Sequence, residues 1–519
     1  MRQAYIGIDI GSTGCKAIAI DEACRPIALA SERYDNTIVY LSLGMYDQDP
    51  AILREASFKC CRALLDKLRA DYRVSALGLT GQMHGLVALD ERLQPLRPII
   101  SCVDFRNEAQ NDCIYAAVGG KTGLLDYTNN KMVPSCTGGK ILWLMEHEPE
   151  IFARTQVILN PKDYIRTALT GIPVTEESDA SGFGLYDVKN RCWSKALLER
   201  IGIPERVLPQ VLHSYQTVGR VLPEVAAQLG LPDDVAVVAG AGDAIMQTCG
   251  AGAVKDGVYS IIVGSGGNIS TAIDHCPRNE GALLQLYAGI TESQWVAYAG
   301  LMSVGTSVNW FREKFYASES AQGAAAAFAV MEQEAAAVPA GSEGLVFLPS
   351  LMGQRNPIDD PFAKGVTVGF SLLHGRGHLY RALLEGLALG MRELYGLLLA
   401  VAKPAQCLQI SGGGAASDTW CQIFADVFQV PVRRMKEYGA AGALGVALLA
   451  RNHTGSPEEL TALMSDPPTD RQFYPNPENR AVYDDLFAIY RSVYPAVGPL
   501  FPALKAFEEK YICAEREVK

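Results

Sequence analysis

Two lone carboxylates, each set in an apolar run beside glycines, are the groups in this chain best placed to do chemistry. Asp243 stands in residues 235–254, VAVVAGAGDAIMQTCGAGAV. Residues 235–239 read as a buried strand, Gly240 and Gly242 as a tight turn, and residues 244–249 as helix-compatible. The carboxylate is therefore predicted at a strand-to-helix turn, open to close approach. Aspartate is also a favoured helix N-cap, which needs no chemistry, and the two roles are compatible. Asp9 stands in the predicted strand 5–10, YIGIDI. An ionised acid in an apolar strand is costly unless it is paired, hydrogen-bonded or holding a cation.

Several polar turns could face a ligand. Gly11-Ser12-Thr13-Gly14 is a predicted hairpin tip between strands 5–10 and 15–21, and its free N–H groups and hydroxyls suit a phosphate. Such a tip is also an ordinary turn. The pattern recurs about 250 residues later in YSIIVGSGGNISTAID, residues 259–274, with a second tip at Gly264, Ser265, Gly266 and Gly267. The strand predicted over 74–79 runs into Thr80-Gly81-Gln82-Met83-His84-Gly85, where Gln82 and His84 read as ligand-facing or as structural. The strand predicted over 99–106 ends in Asp104 and Arg106. Gly412, Gly413 and Gly414 follow a strand at 409–411, so the backbone there either lies flush against a flat ligand such as adenine or forms a flexible loop.

These turns need strands and helices to hold them. An amphipathic helix is predicted over 47–71, and others over 107–117, 140–148 and 378–399. Residues 157–171 form a strand–turn–helix unit through Pro161-Lys162-Asp163-Tyr164. Residues 177–182 (ESDASG) read as a polar surface turn. Residues 439–449 (GAAGALGVALL) read as a small-residue helix that must pack closely, and 475–519 as a charged helical tail.

A chain of 519 residues exceeds one core, so two or more domains are expected. The net charge of −11 argues against a nucleic-acid surface. It leaves phosphate binding by backbone N–H groups open. Thirteen cysteines without a C-x-x-C pair read as reduced thiols of a cytosolic protein. No apolar run reaches spanning length, and the first strand follows Met1 too closely for a signal peptide. The expectation is a cytoplasmic protein with no membrane partner.

In this order and spacing the motifs resemble the FGGY carbohydrate kinases, and within them the xylulose kinases, over nearly the whole chain. The resemblance rests on the hairpin at 7–16, GQMHG at 81–85, PKDY at 161–164 and SDASG at 178–182. It continues through GAGD at 240–243, Gly369 followed by HLYRALLE at 378–385, GGGAAS at 412–417 and GAAGALGVA at 439–447. It implies an α/β fold of two ribonuclease-H-like (actin/hexokinase-type) domains with a cleft between them. The domains would cover 1–245 and 246–474, with a helical tail at 475–519. It implies ATP-dependent phosphorylation of a sugar, D-xylulose to D-xylulose 5-phosphate. The alternatives are another ketose or a polyol, an actin- or chaperone-type ATPase, or a non-catalytic sugar-binding regulator. By the same resemblance Asp243 is the general base and Asp9 holds Mg²⁺ through water. Ser12, Thr13, Gly264, Ser265, Gly266 and Gly267 bind phosphate, and Lys16 stands near it. Gln82, Met83, His84 and Asp104 line the sugar site. Gly412, Gly413, Gly414 and Ala415 lie against the base of ATP. A homodimer is suggested on the same ground. The chain departs from the family pattern at Val103, Phe105, Ala244, Gln354 and Ile358, and in the second tip, which bears on which sugar is taken.

Overall fold

The computed structural model describes residues 1–513 except Asp35, Asn36, Leu43 and Arg355. Arg355 of the polar loop 353–357 and the last six residues of the expected tail lie outside the described residues. The chain divides into two units. The first comprises Met1–Asp256, Thr271–Tyr298 and Ala440–Pro467, and the second Gly257–Ser270, Ala299–Gly439 and Pro468–Lys519.

In the first unit, strand Arg2–Ile10 lies at the middle of a seven-stranded sheet. It pairs antiparallel with Gly14–Asp21, which pairs antiparallel with Pro26–Arg33. On its other side Tyr72–Gly81 runs parallel, followed by Ala236–Val238 and Ala241–Gly242, both parallel to it. Three antiparallel strands followed by parallel ones is the order of the ribonuclease-H-like fold. The central strand is buried on both faces, which is why it reads as one apolar run. Ile6, Ile8 and Ile10 share a core with Leu53, Phe58, Cys61, Ile165 and Leu169 from helices Pro50–Leu65 and Pro161–Thr170. Each such side chain contributes about 2 kcal/mol by its burial.

The opposite face carries Tyr5, Gly7 and Asp9. Against it lies the small-residue helix, observed at Ala441–Arg451. A Cβ on Gly7 would stand 2.0 Å from the Ala443 carbonyl oxygen, so strand and helix meet backbone to backbone. The same helix crosses helix Asp243–Gly250, where a Cβ on Gly250 would stand 2.1 Å from the Ala441 carbonyl. These contacts place residues 440–467 with the first unit rather than in a contiguous block 246–474.

In the second unit, Val258–Val263 runs parallel to Cys407–Ser411, which runs parallel to Val432–Met435, and Thr469–Phe473 closes that side antiparallel. The tip at 264–267 leads into Gly267–Ile273, the neighbour of Val258–Val263 in the sheet. Each unit thus begins on a tip between two strands followed by a parallel strand, as the recurrence predicted. Residues 475–513 are not a separate tail. Tyr483 of helix Asn479–Val497 is buried and bonds Glu385 at 2.9 Å in helix Arg376–Leu398, within the second unit. No helix among the described residues is long and apolar enough to cross a membrane.

Three local expectations change. The first helix starts at Pro50, capped by Asp49 Oδ1 on Ala51 N at 2.8 Å, because Asp47 and Gln48 belong to strand Met45–Gln48. The strand at 99–106 shrinks to Ile99–Ile100, because Asp104 accepts from Tyr46 N at 2.5 Å and turns the chain back. Residues 177–182 form a buried helix, not a surface turn.

A methyl group on Gly7 has nowhere to go, since the two nearest atoms it meets, the Ala443 carbonyl oxygen and the Ala447 nitrogen, are backbone. Gly7→Ala is expected to lower stability by about 3 kcal/mol, at the upper end of overpacking costs, measured as a fall in the urea midpoint.

Candidate active site

The first unit's sheet brings the two singled-out acids to one end. Asp9 sits beside Thr80 in register, and Thr80 sits beside Ala241. With strands about 4.8 Å apart, Asp9 and Ala241 are about 10 Å apart at Cα. Asp243 opens the next helix two residues further on. Gly242, with extended φ and ψ, precedes the helix, so Asp243 is its first residue rather than the cap. Its Oδ1 accepts the Ala244 N–H at 2.8 Å. Shielding from water, first, and the Asp9 charge, second, push the Asp243 carboxyl up to about 7. Burial pushes Asp9 up to about 6, opposed by Lys16, its cross-strand partner. A Cβ on Gly442 would lie 2.7 Å from Asp9 Oδ2, so only glycine leaves that oxygen its space.

The tip next to Asp9 is closed by Gly11 N on the Gly14 carbonyl at 2.9 Å. The hydroxyls of Ser12 and Thr13 make no hydrogen bond among the described residues. Tyr34 N donates to the Thr13 carbonyl at 3.2 Å and fixes the turn from behind.

Residues 81–85 continue the strand that separates the two acids. Gln82 is buried. Its N–H donates to the Ile10 carbonyl at 2.8 Å, and its amide nitrogen to Gln48 Oε1 at 2.8 Å. Met83 packs on the turn before Asp243, where a Cβ on Gly242 would meet its sulfur at 2.5 Å. His84 has φ +68, a left-handed conformation unusual for histidine, and its Nδ1 is 2.8 Å from the Gly182 carbonyl. Asp104 is fully buried and committed. It takes Tyr46 N, Arg106 N and Arg106 Nε, so its carboxylate faces the protein.

The sequence did not reveal two parts of this region. Lys140 is fully buried with Nζ on three backbone carbonyls. Lys162, Asp163, Arg166, Glu176 and Asp179 form a buried charged cluster under the Asp243 turn. Ser178 joins that cluster to the turn, accepting Gly242 N at 2.9 Å and donating to Glu176 at 3.0 Å. A lysine without acidic neighbours in sequence and a polar hexapeptide carry no periodic signal. PKDY and SDASG point locally to the cluster, and neither contains Lys140.

The second unit holds a cavity of about 860 Å³. Gly264, Ser265, Gly413 and Gly414 line it together with Phe328 and Trp420, whereas Gly266, Gly267, Gly412 and Ala415 lie outside the lining. Gly412 (φ +88) and Gly414 use their freedom against Val263, and only Gly413 has open space where a Cβ would be. The glycines of this run that line the cavity are therefore Gly413 and Gly414. Glu332 accepts Ser417 Oγ at 2.6 Å and Thr419 N at 2.8 Å, anchoring the rim. An apolar slot ending in backbone N–H groups suits a flat base with an anionic tail.

Comparison with known proteins places the chain in a family. The N-terminal domain of the FGGY family of carbohydrate kinases matches residues 4–250, and its C-terminal domain residues 260–451. A xylulose kinase of Bacillus subtilis is 32% identical over 97% of this chain and 99% of its own. A gluconate kinase and a ligand-bound xylulose kinase, both from Lactobacillus acidophilus, superpose with TM-scores of 0.88 each. They are 26% and 27% identical, and each covers 97% of this chain and 100% of its own. Matching domains across both units, in the expected order, settle the point: the chain belongs to the FGGY family of carbohydrate kinases.

Proposed function

We propose that this ATP-dependent sugar kinase phosphorylates the terminal hydroxyl of an uncharged ketose, D-xylulose, to give D-xylulose 5-phosphate. The observation that carries the reading is the pair Asp9 and Asp243, placed at one end of one sheet with both carboxyls pushed up by shielding. Asp243 is the base that orients the attacking hydroxyl and takes its proton as the bond to phosphorus forms. Its raised pKa suits a base working near neutral pH, and the free Oδ2 has no competing donor among the described residues. Ser12 and Thr13 offer N–H and hydroxyl donors to the phosphates.

The residues fit a magnesium ion. Among the described residues no three acidic, histidine or cysteine side chains gather to form a protein cage. Magnesium keeps waters and takes one or two carboxylates together with substrate phosphates. Asp9, with the space that Gly442 leaves at Oδ2, would hold it through water. When bound, the ion neutralises charge on the transferring phosphoryl group.

An uncharged sugar is favoured over an acidic one by how the nearby cations are used. Arg106 pairs with Asp104 at 2.8 Å and Asp47 at 2.6 Å, and Arg97 pairs with Asp47 and Glu148 at 3.0 Å each. Lys140 has all three donors on carbonyls. No cation of this set is left for a sugar carboxylate.

The direct test is ADP release over a panel of D-xylulose, L-xylulose, D-ribulose, sedoheptulose, polyols and gluconate. The highest kcat/KM is expected for D-xylulose, and a higher value for gluconate would overturn the uncharged-sugar reading. Asp243→Asn is expected to lower kcat about 10³-fold, within the usual range for a general base. Sugar and ATP binding measured by calorimetry should persist, and wild-type turnover in that variant would remove Asp243 from the mechanism. Only ionised Asp243 can accept a proton. Activity should therefore fall about tenfold per pH unit below pH 7 and level off above it. A kcat/KM that stays level down to about pH 5.5 would contradict the assignment.

A further inference from the structure

Lys140 is an ammonium group in a place that ordinarily repels one. It is fully buried, and it lies in the first turn of helix Thr137–His147, the end where the helix dipole opposes positive charge. No carboxylate is within ion-pair distance of it among the described residues. Its three N–H bonds instead go to the backbone carbonyls of Ser101 at 2.7 Å, His84 at 2.8 Å and Ser135 at 2.9 Å. Three donors meet three acceptors, so nothing is left over for a ligand. Glutamine has only two such donors, and arginine's flat fork cannot converge on three carbonyls from one point.

The three carbonyls belong to three separate segments. His84 is in the loop 81–85, Ser101 begins the turn 101–106 that carries Cys102 and Asp104, and Ser135 is in the segment leading into the helix. Cys102 in turn donates to Gln82 Oε1 at 3.5 Å. His84 holds a left-handed backbone that must be kept by its surroundings. It is held by its ring on the Gly182 carbonyl and by its own carbonyl on Lys140.

We propose that Lys140 is a positioning residue for the sugar, an ammonium clamp that fixes the spacing of three backbone segments and so sets sugar affinity without touching the sugar. The inference rests on the reading of 81–85 and 101–106 as the sugar site. Burial pushes the Lys140 ammonium down to about 8. The groups facing it are Cys102 and Asp104 from the turn and Cys136 from the segment before the helix, which favour the charge, and Arg106, which opposes it. Loss of its proton removes one N–H and aims a lone pair at a carbonyl, so one of the three ties breaks.

The test is the sugar KM and the ATP KM of wild type and of Lys140→Met across pH 6.5 to 9.5. Wild type is expected to show a sugar KM that rises about fivefold or more above pH 8 with a level ATP KM, the size set by one charge-assisted hydrogen bond. Lys140→Met at pH 7 should raise the sugar KM about tenfold, leave kcat and ATP KM within about twofold, and lack the alkaline rise. Unfolding does not mimic this. Lysine in the unfolded chain keeps its proton up to its ordinary 10.5, so between pH 8 and 10.5 the unfolded state binds more protons. Deprotonation of Lys140 therefore stabilises the fold in that range. A level wild-type sugar KM through pH 9.5 overturns the clamp, and so does a variant that loses kcat with sugar KM unchanged. If Lys140→Met does not fold, the wild-type profile decides. If no sugar of the panel is phosphorylated, the sugar reading fails and amide hydrogen exchange decides the clamp. Joint loss of protection at 81–85, 101–106 and 131–136 in Lys140→Met supports it, and unchanged protection overturns it.

Discussion

The contact on which the first unit depends is made almost without side chains. Helix Ala441–Arg451 touches the central strand at Gly7, its parallel neighbour Tyr72–Gly81 at Gly78 and helix Asp243–Gly250 at Gly250, with its own Gly445 against the Met246 carbonyl. At each point a Cβ would fall within 3 Å of a neighbouring atom, usually backbone. Close approach of this kind gains dispersion along the whole length of both partners. It also sets a distance rather than merely filling a space. One helix determines the height of the strand that carries Asp9 and the start of the helix that carries Asp243, and its Gly442 leaves room for the Asp9 carboxylate. The two acids keep their separation because a third element, from more than 190 residues further along the chain, is wedged against both supports.

The other support of Asp243 is electrostatic. Two cations, Lys162 and Arg166, and three acids, Asp163, Glu176 and Asp179, lie wholly out of water. Three acids against two cations leave one negative charge unmatched. Burial and the neighbouring acids Asp163 and Glu176 push Asp179 well above the usual range, against the pull of Lys162. Arg166 and Lys162 hold Asp163 ionised against its own burial. The cluster reaches the turn through Lys162 and Arg166 on the Ala239 carbonyl and through Ser178 on Gly242 N. Removing one partner of such a set costs about 3–5 kcal/mol. The rigidity of the Asp243 turn is therefore tied to a network that an apolar core could not supply, because apolar side chains offer no donors to the turn's free backbone groups.

What the sequence exposed and what it hid follow one physical line. Local features were legible: the hairpin at 11–14, its repeat at 264–267, the costly Asp9 and the strand–turn–helix around Asp243 each declare themselves within twenty residues. The small-residue helix was legible as a close packer but not its partner, since nothing in residues 439–449 says which backbone will meet them. The boundary at 245 was drawn on contiguity, and contiguity is what the Ala441–Arg451 contact breaks. Residues 177–182 looked like surface because their letters are polar. A polar segment satisfied by its own buried cluster has no hydrophobic period to betray it. Lys140 was hidden for the same reason, as its partners are carbonyls, and every residue has one.

Charge in the first unit is divided unevenly, and the division follows the chemistry. Its buried cations near these acids are committed among the described residues: Arg97 and Arg106 to Asp47 and its neighbours, Lys162 and Arg166 to the cluster, Lys140 to carbonyls. Among the described residues Asp9 and Asp243 make no ion pair at contact distance, and the Asp9 charge raises the cost of ionising Asp243. A surface of this kind attracts cations and repels anions at short range. On the proposed reading an aldonate would meet these acids with Arg97 and Arg106 already paired, whereas a neutral sugar brings only hydroxyls, for which a carboxylate is a good acceptor. A nucleotide's phosphates would meet the same repulsion unless a divalent cation came with them, and in the proposed mechanism Asp9 would receive it. On the proposed reading, these acids would favour both a neutral acceptor and a metal-bearing donor, a selectivity that would arise from which charges the fold leaves unanswered.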